Sequence, residues 1–200
     1  MSFPRFYPVM PDLDWIERIA PLGIKVVQLR LKNTTDDEIR RQIRGALKVC
    51  SEYDVQLIVN DYWQLALELG ADYIHLGQED LAAADLEAIK KGGVRFGIST
   101  HSLDELTVAL AAKPDYVALG PIYETILKKM TWAPQGLERL DDWRQRLSVP
   151  LIAIGGLNFE RAARALDAGA SSVAVVTDIV TADDPVAQVQ AWVQRFETID

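Results

Sequence analysis

At 200 residues, 49% of them hydrophobic and 25% charged, the chain has enough apolar material for one compact core, expected as a single domain over residues 1–200. A formal net charge of −8 argues against general nucleic-acid binding, which calls for a basic surface, but a few focused cations could still attract an anion. The lone Cys50 excludes an internal disulfide and a thiolate metal cluster, and no stretch reads as a leader or a membrane span, so a reducing cytoplasmic setting is expected.

In chain order, apolar and β-branched runs at 6–10, 25–31, 56–60, 73–76, 95–99, 116–120, 151–154 and 172–176 read as strands. Helical spacing occupies 12–20, 36–53, 62–69, 83–91, 102–113, 136–147, 158–168 and 185–198. Strict alternation implies parallel strands, and eight units in this length predict an α/β fold, a compact (β/α)8 TIM barrel. A doubly wound open sheet is the competing architecture. Asp12, Ser102 and Asn158 stand where N-caps belong, and Glu105 three residues after Ser102 suggests a capping box. Gly70, Gly92 and Gly169 stand where helices should stop.

Functional residues of such a barrel gather at the C-terminal ends of the strands. The second strand alternates Gln28, Arg30 and Lys32 with Leu29 and Leu31, which aims the polar three at the barrel mouth and the leucines at the helices. The third strand runs into Asn60 and Asp61, the fourth into Gln78, Glu79 and Asp80. Two carboxylates on adjacent strands repel unless a cation lies between them, and oxygen-only ligands point to a hard ion such as Mg²⁺. Ser99 ends the fifth strand; His101 reads as a local cap or surface residue and His75 as a hydrogen-bonded interior one. The irregular segment 120–136, with Lys128 and Lys129, reads as a lid. Gly155 and Gly156 after the seventh strand, and Val176 and Thr177 after the eighth, sit where this fold cradles phosphate.

The ordered set VQLRLK, NDYW, HLGQEDL, GISTH, ALGPIY, APQGLE, AIGG and AVV resembles the thiamine-phosphate synthase family over nearly the whole chain. That resemblance implies joining a hydroxymethylpyrimidine diphosphate to a thiazole phosphate, with release of pyrophosphate. It implies that Gln28, Arg30, Lys32, Asn60, Ser99 and Lys128 hold the pyrimidine diphosphate, that Asp61 and Asp80 hold Mg²⁺, and that Thr125, Gly156, Val176 and Thr177 hold the thiazole phosphate. Diphosphate departure precedes attack by the thiazole nitrogen in that family, so Arg30, Lys32, Lys128 and Ser99 would act on the leaving group without any enzyme nucleophile. The lid departs from the family pattern, because Leu127 replaces a threonine at the thiazole end. Alternatives on the same barrel are a thiazole tautomerase-like paralogue, a non-catalytic sensor of phosphate ligands and a phosphosugar isomerase. The resemblance brings no membrane or nucleic-acid partner, and a homodimer is compatible with it.

Overall fold

The computed structural model describes residues 3–125 and 132–197, and in it eight parallel strands close into a barrel in sequence order. The first half comprises β1 (Phe6–Met10), α1 (Leu13–Ile19), β2 (Val26–Leu29), α2 (Asp36–Glu52), β3 (Gln56–Asn60), α3 (Trp63–Leu69) and β4 (Tyr73–Leu76). The second continues through α4 (Gln78–Ala83), α5 (Leu86–Lys91), β5 (Arg95–Thr100), α6 (Leu103–Ala112), β6 (Tyr116–Leu119) and α7 (Gly136–Arg146). It ends with β7 (Leu151–Ile154), α8 (Phe159–Asp167), β8 (Ser172–Val175), α9 (Thr177–Val180) and α10 (Pro185–Phe196). The expected (β/α)8 architecture is therefore present, and the open-sheet alternative falls because β1 pairs with β8, Phe6 opposite Val173.

Period-two geometry sorts each strand between two apolar layers. On β1, Tyr7 and Val9 face the barrel axis while Phe6 and Met10 pack under helices; on β6, Tyr116 and Ala118 face inward and Val117 and Leu119 outward. Leu29 and Leu31 join the outer layer, as the alternation in the second strand predicts. Thr100 is a polar rivet within that outer layer. Its Oγ1 donates to the Ala118 carbonyl at 3.0 Å and accepts the Trp143 indole N–H at 3.0 Å, tying α7 to the sheet.

Helix ends follow side-chain chemistry. Asp12, Ser102 and Asn158 cap α1, α6 and α8 as expected, and Thr35, Asp85 and Asp184 cap α2, α5 and α10. The Ser102 box is open on one side. Ser102 Oγ accepts from Glu105 N, but the Glu105 carboxylate turns to the backbone N–H and Nδ1 of His101.

Three differences from expectation bear on the site. The helix expected over 83–91 begins only at Leu86, as α5, because Ala84 is extended and Asp85 starts a new cap with Ala88 N at 2.9 Å, and an unexpected helix α4 precedes it. Asp80 consequently lies in the first turn of α4 rather than on a strand end, where a helix N-terminus favours acidic residues. Thr177 likewise opens the four-residue α9. Strand β2 stops at Leu29, so Arg30 and Lys32 extend beyond the ladder, although Arg30 N still donates to the Met10 carbonyl at 2.8 Å.

Candidate active site

One cavity of about 550 Å³ opens at the C-terminal ends of the strands. Gln28, Arg30, Lys32, Asn60, Asp61, Asp80 and Ser99 line one side of it, from β2 to β5, and Thr125, Gly156, Val176 and Thr177 line it from β6, β7 and β8. Every candidate residue inside the described segments thus meets in one place. Leu127, Lys128 and Lys129 lie outside the described residues.

The acidic corner is built by backbone geometry. Asp61 follows β3 in the left-handed region (φ 67°), its N–H taken by the His75 carbonyl at 2.9 Å, and this kink turns its side chain toward the mouth. Lys32 Nζ meets Asp61 Oδ2 at 2.5 Å. Burial, and then the negative charge of neighbouring Asp61, push the Asp80 carboxyl above the usual carboxylate range, while Lys32 pulls the other way. An Asp80 carboxyl that resists ionisation beside Asp61 makes a natural cation seat. No cluster of three or more His, Cys, Asp or Glu able to hold a metal occurs among the described residues. A cation at Asp61 and Asp80 would therefore complete its shell with water or substrate oxygens, which is the habit of Mg²⁺.

The floor of the cavity holds a chain of buried polar groups. Gln28 Nε2 donates to the Tyr7 hydroxyl at 2.8 Å, Tyr7 and Tyr116 hydroxyls meet at 3.0 Å, Tyr116 reaches His75 Nδ1 at 2.7 Å, and His75 Nε2 reaches Ser99 Oγ at 2.7 Å. Burial pushes the His75 imidazole down to about 4, with Asp61 pulling upward and Arg30 adding to the depression, so the ring is neutral near pH 7. Burial also raises the Tyr7 and Tyr116 hydroxyls, which keeps both protonated. His75 is the hydrogen-bonded interior residue the sequence suggests. Tyr7 and Tyr116 escape sequence reading as polar participants, because aromatic residues in buried strands look like core filling. Gly97 is the signal that could have exposed Tyr116. A Cβ at this mid-strand glycine would lie 2.0 Å from the Tyr116 ring, so the ring occupies the space a side chain would take.

The opposite wall depends on Gly155 and Gly156, whose φ values are 102° and 65°. A Cβ on Gly156 would lie 2.3 Å from the Glu124 carbonyl, and one on Gly155 would lie 2.6 Å from Pro121 Cβ. The pair lets segment 121–125 fold down onto the end of β7, which sets Thr125 at the cavity edge. Arg161 braces this contact by donating to the Gly156 carbonyl at 2.7 Å and lying over the Tyr123 ring at 4.7 Å. His101 is more than the expected cap or surface residue. Its ring stacks on Trp132 at 5.7 Å, and both line the mouth.

Comparison with known proteins identifies the family. The family model described as thiamine monophosphate synthase matches residues 6–179. A thiamine-phosphate synthase of Rhizobium etli is 54% identical, over 96% of this chain and 95% of its own length. One from Salmonella schwarzengrund is 46% identical over 89% of this chain and 85% of its own length. Among solved structures, a thiamine phosphate pyrophosphorylase from Pyrococcus furiosus superposes with a TM-score of 0.85 at 26% identity, covering 96% of this chain and 95% of the other. The residues that line the cavity and the relatives that match almost end to end lead to one assignment: the chain belongs to the thiamine-phosphate synthase family of transferases.

Proposed function

We propose that this cavity condenses a hydroxymethylpyrimidine diphosphate with a thiazole phosphate to give thiamine phosphate and pyrophosphate. The observation that carries the reading is the division of one cavity into a cationic and acidic side, Arg30, Lys32, Asp61 and Asp80, and a small-residue side at Thr125, Gly156, Val176 and Thr177. Gln28 and Asn60 would orient the pyrimidine, and Arg30, Lys32, Ser99 and Lys128 would bind the diphosphate. Negative charge grows on the leaving oxygens as the carbon–oxygen bond breaks, so prearranged cations and hydrogen-bond donors favour the transition state over the bound substrate. Asp61 and Asp80 would hold Mg²⁺, which supplies further positive charge against that leaving group. Holding the thiazole phosphate across the cavity places its ring nitrogen to attack the exposed methylene carbon, a gain from positioning alone. Departure of pyrophosphate balances the reaction and needs no enzyme nucleophile.

The test is to mix the two substrates with the protein and Mg²⁺, and to measure pyrophosphate and thiamine phosphate in equal amounts. Omission of Mg²⁺ with added chelator should abolish both products. Tight binding of both substrates with no product would replace this reading with a ligand sensor, and isomerisation of the thiazole alone would replace it with a tautomerase.

A further inference from the structure

We infer that Tyr7, Tyr116 and His75 are positioning residues: they form a one-way hydrogen-bond relay through which the Gln28 amide forces the Ser99 hydroxyl to offer its proton to the cavity. The inference rests on the reading that Ser99 faces the diphosphate. Direction follows from counting donors. Gln28 Nε2, as its amide is oriented, donates to the Tyr7 oxygen at 2.8 Å, and Tyr116, 3.0 Å away, is the hydroxyl's other polar partner among the described residues, so the buried Tyr7 proton is satisfied by pointing there. Tyr116, having accepted, gives its proton to His75 Nδ1 at 2.7 Å. A neutral imidazole that accepts at Nδ1 carries its proton on Nε2, and this N–H donates to Ser99 Oγ at 2.7 Å. Ser99 therefore accepts from within the protein, and its own proton points outward.

The opposite direction would have a chemical cost at the site. If the relay ran backward, Ser99 would donate to His75 and present lone pairs to an anion, and Gln28 would turn its N–H groups into the cavity. The forward direction leaves Gln28 Oε1 without a hydrogen bond from the described residues. Its acceptor thus faces one end of the cavity while Ser99 offers a donor at the other. The relay crosses the barrel through β2, β1, β6, β4 and β5, and Tyr7, Tyr116 and His75 are all buried at the cavity floor, which shields the intermediate links from bulk water. Such a connected chain acts as one unit, because reversing any link reverses all of them.

The direction can be read without substrate. The chain has only two histidines, so ¹⁵N-edited spectra of the imidazoles at pH 7.5, compared with those of a His101→Gln variant, isolate His75. The relay requires the neutral Nε2-protonated tautomer; the Nδ1-protonated form would overturn it. Gln28→Leu removes the amide that sets the direction and should let both tautomers appear, whereas a single unchanged tautomer would remove Gln28 from control. In turnover, Tyr116→Phe should raise KM for the pyrimidine diphosphate about five-fold, the loss of one oriented hydrogen bond, with KM for the thiazole phosphate unmoved. In a Ser99→Ala background the same change should add nothing, and an additive effect would mean that Tyr116 does not act through Ser99. Tyr73→Phe is the packing control. Its ring lies 5.8 Å from that of Tyr116 but its hydroxyl is outside the relay, so an equal effect there would reduce the result to packing and overturn the proposal. Absence of turnover in the parent protein would sink the substrate assignment alone, leaving the tautomer measurement to judge the relay.

Discussion

Gly97→Ala should damage the protein far more than one methyl group suggests. The new Cβ would stand 2.0 Å from Cζ and 2.3 Å from both Cε atoms of Tyr116, a ring with no solvent exposure. Ordinary carbon contact is about 3.5 Å, so the ring must retreat by roughly 1.5 Å. That movement cannot preserve the Tyr116 hydrogen bonds at 3.0 Å to Tyr7 and 2.7 Å to His75. Overpacking a full core costs about 1–3 kcal/mol, and leaving buried polar partners unpaired costs about 1–3 kcal/mol more. Alanine recovers about 0.4–1 kcal/mol from the less flexible unfolded chain, since Gly97 is not at positive φ. The net loss is about 3 kcal/mol, equivalent to a fall in Tm of roughly 6–12 °C for a domain of this size. Calorimetry against the parent protein measures it directly. A Tm within about 2 °C of the parent, together with unaltered activity, would refute the claim that Gly97 exists to seat Tyr116.

Gly156→Ala should leave the barrel folded but raise KM for the thiazole phosphate at least about ten-fold, because the Cβ meets the Glu124 carbonyl at 2.3 Å and dislodges the backbone leading to Thr125; steady-state kinetics with each substrate varied would show an effect on one of them. Thr100→Val keeps the shape and removes the rivet between Trp143 and Ala118, so urea denaturation should show a loss of about 2 kcal/mol with kcat unchanged. Asp61→Asn and Asp80→Asn should each raise the Mg²⁺ concentration needed for half-maximal rate while circular dichroism stays the same, and an unchanged Mg²⁺ requirement would remove both from the metal seat. Acid should weaken the fold through His75. Its folded pKa of about 4 lies below the ordinary 6.5, so the unfolded chain binds the extra proton first, and this contribution is complete above pH 6.5 and lost as pH falls toward 4. Asp80, shifted upward, works in the opposite sense as pH rises above its ordinary value of 3.8. Unfolding free energies of the parent and His75→Gln between pH 4 and 7 should differ in slope, and parallel curves would contradict the assignment.

The barrel is legible in the sequence because eight short apolar runs alternate strictly with longer helical ones, and the second strand adds a period-two record, Gln28, Arg30 and Lys32 against Leu29 and Leu31. The site is legible to the extent that it sits on those strand ends. Helices α4 and α9 are not, since runs of six and four residues are too short to display a helical repeat. The relay is invisible for a different reason. Tyr7 and Tyr116 are 109 positions apart and Tyr116 and His75 are 41 apart, and nothing local marks two tyrosines as each other's hydrogen-bond partners. Gly155 and Gly156 are intermediate. Their position suggests a phosphate cradle, whereas the structure gives them a packing duty toward residues 121–125 as well.

The seam between β1 and β8 has a consequence for how the molecule comes into being. Phe6 N–H is held by the Glu197 carboxylate at 2.7 Å, across 191 positions of chain, and Val173 N–H by the Arg5 carbonyl at 2.9 Å. During synthesis β1 leaves the ribosome first and must wait for β8 before both of its edges are paired. Tyr7 sits on that waiting strand, opposite Ala174, so the cavity floor cannot be finished until β8 has emerged. A ribosome-stalled chain ending before β8 would expose an unpaired edge on each side of the gap, which makes the emergence of β8 the step at which chaperone protection matters most.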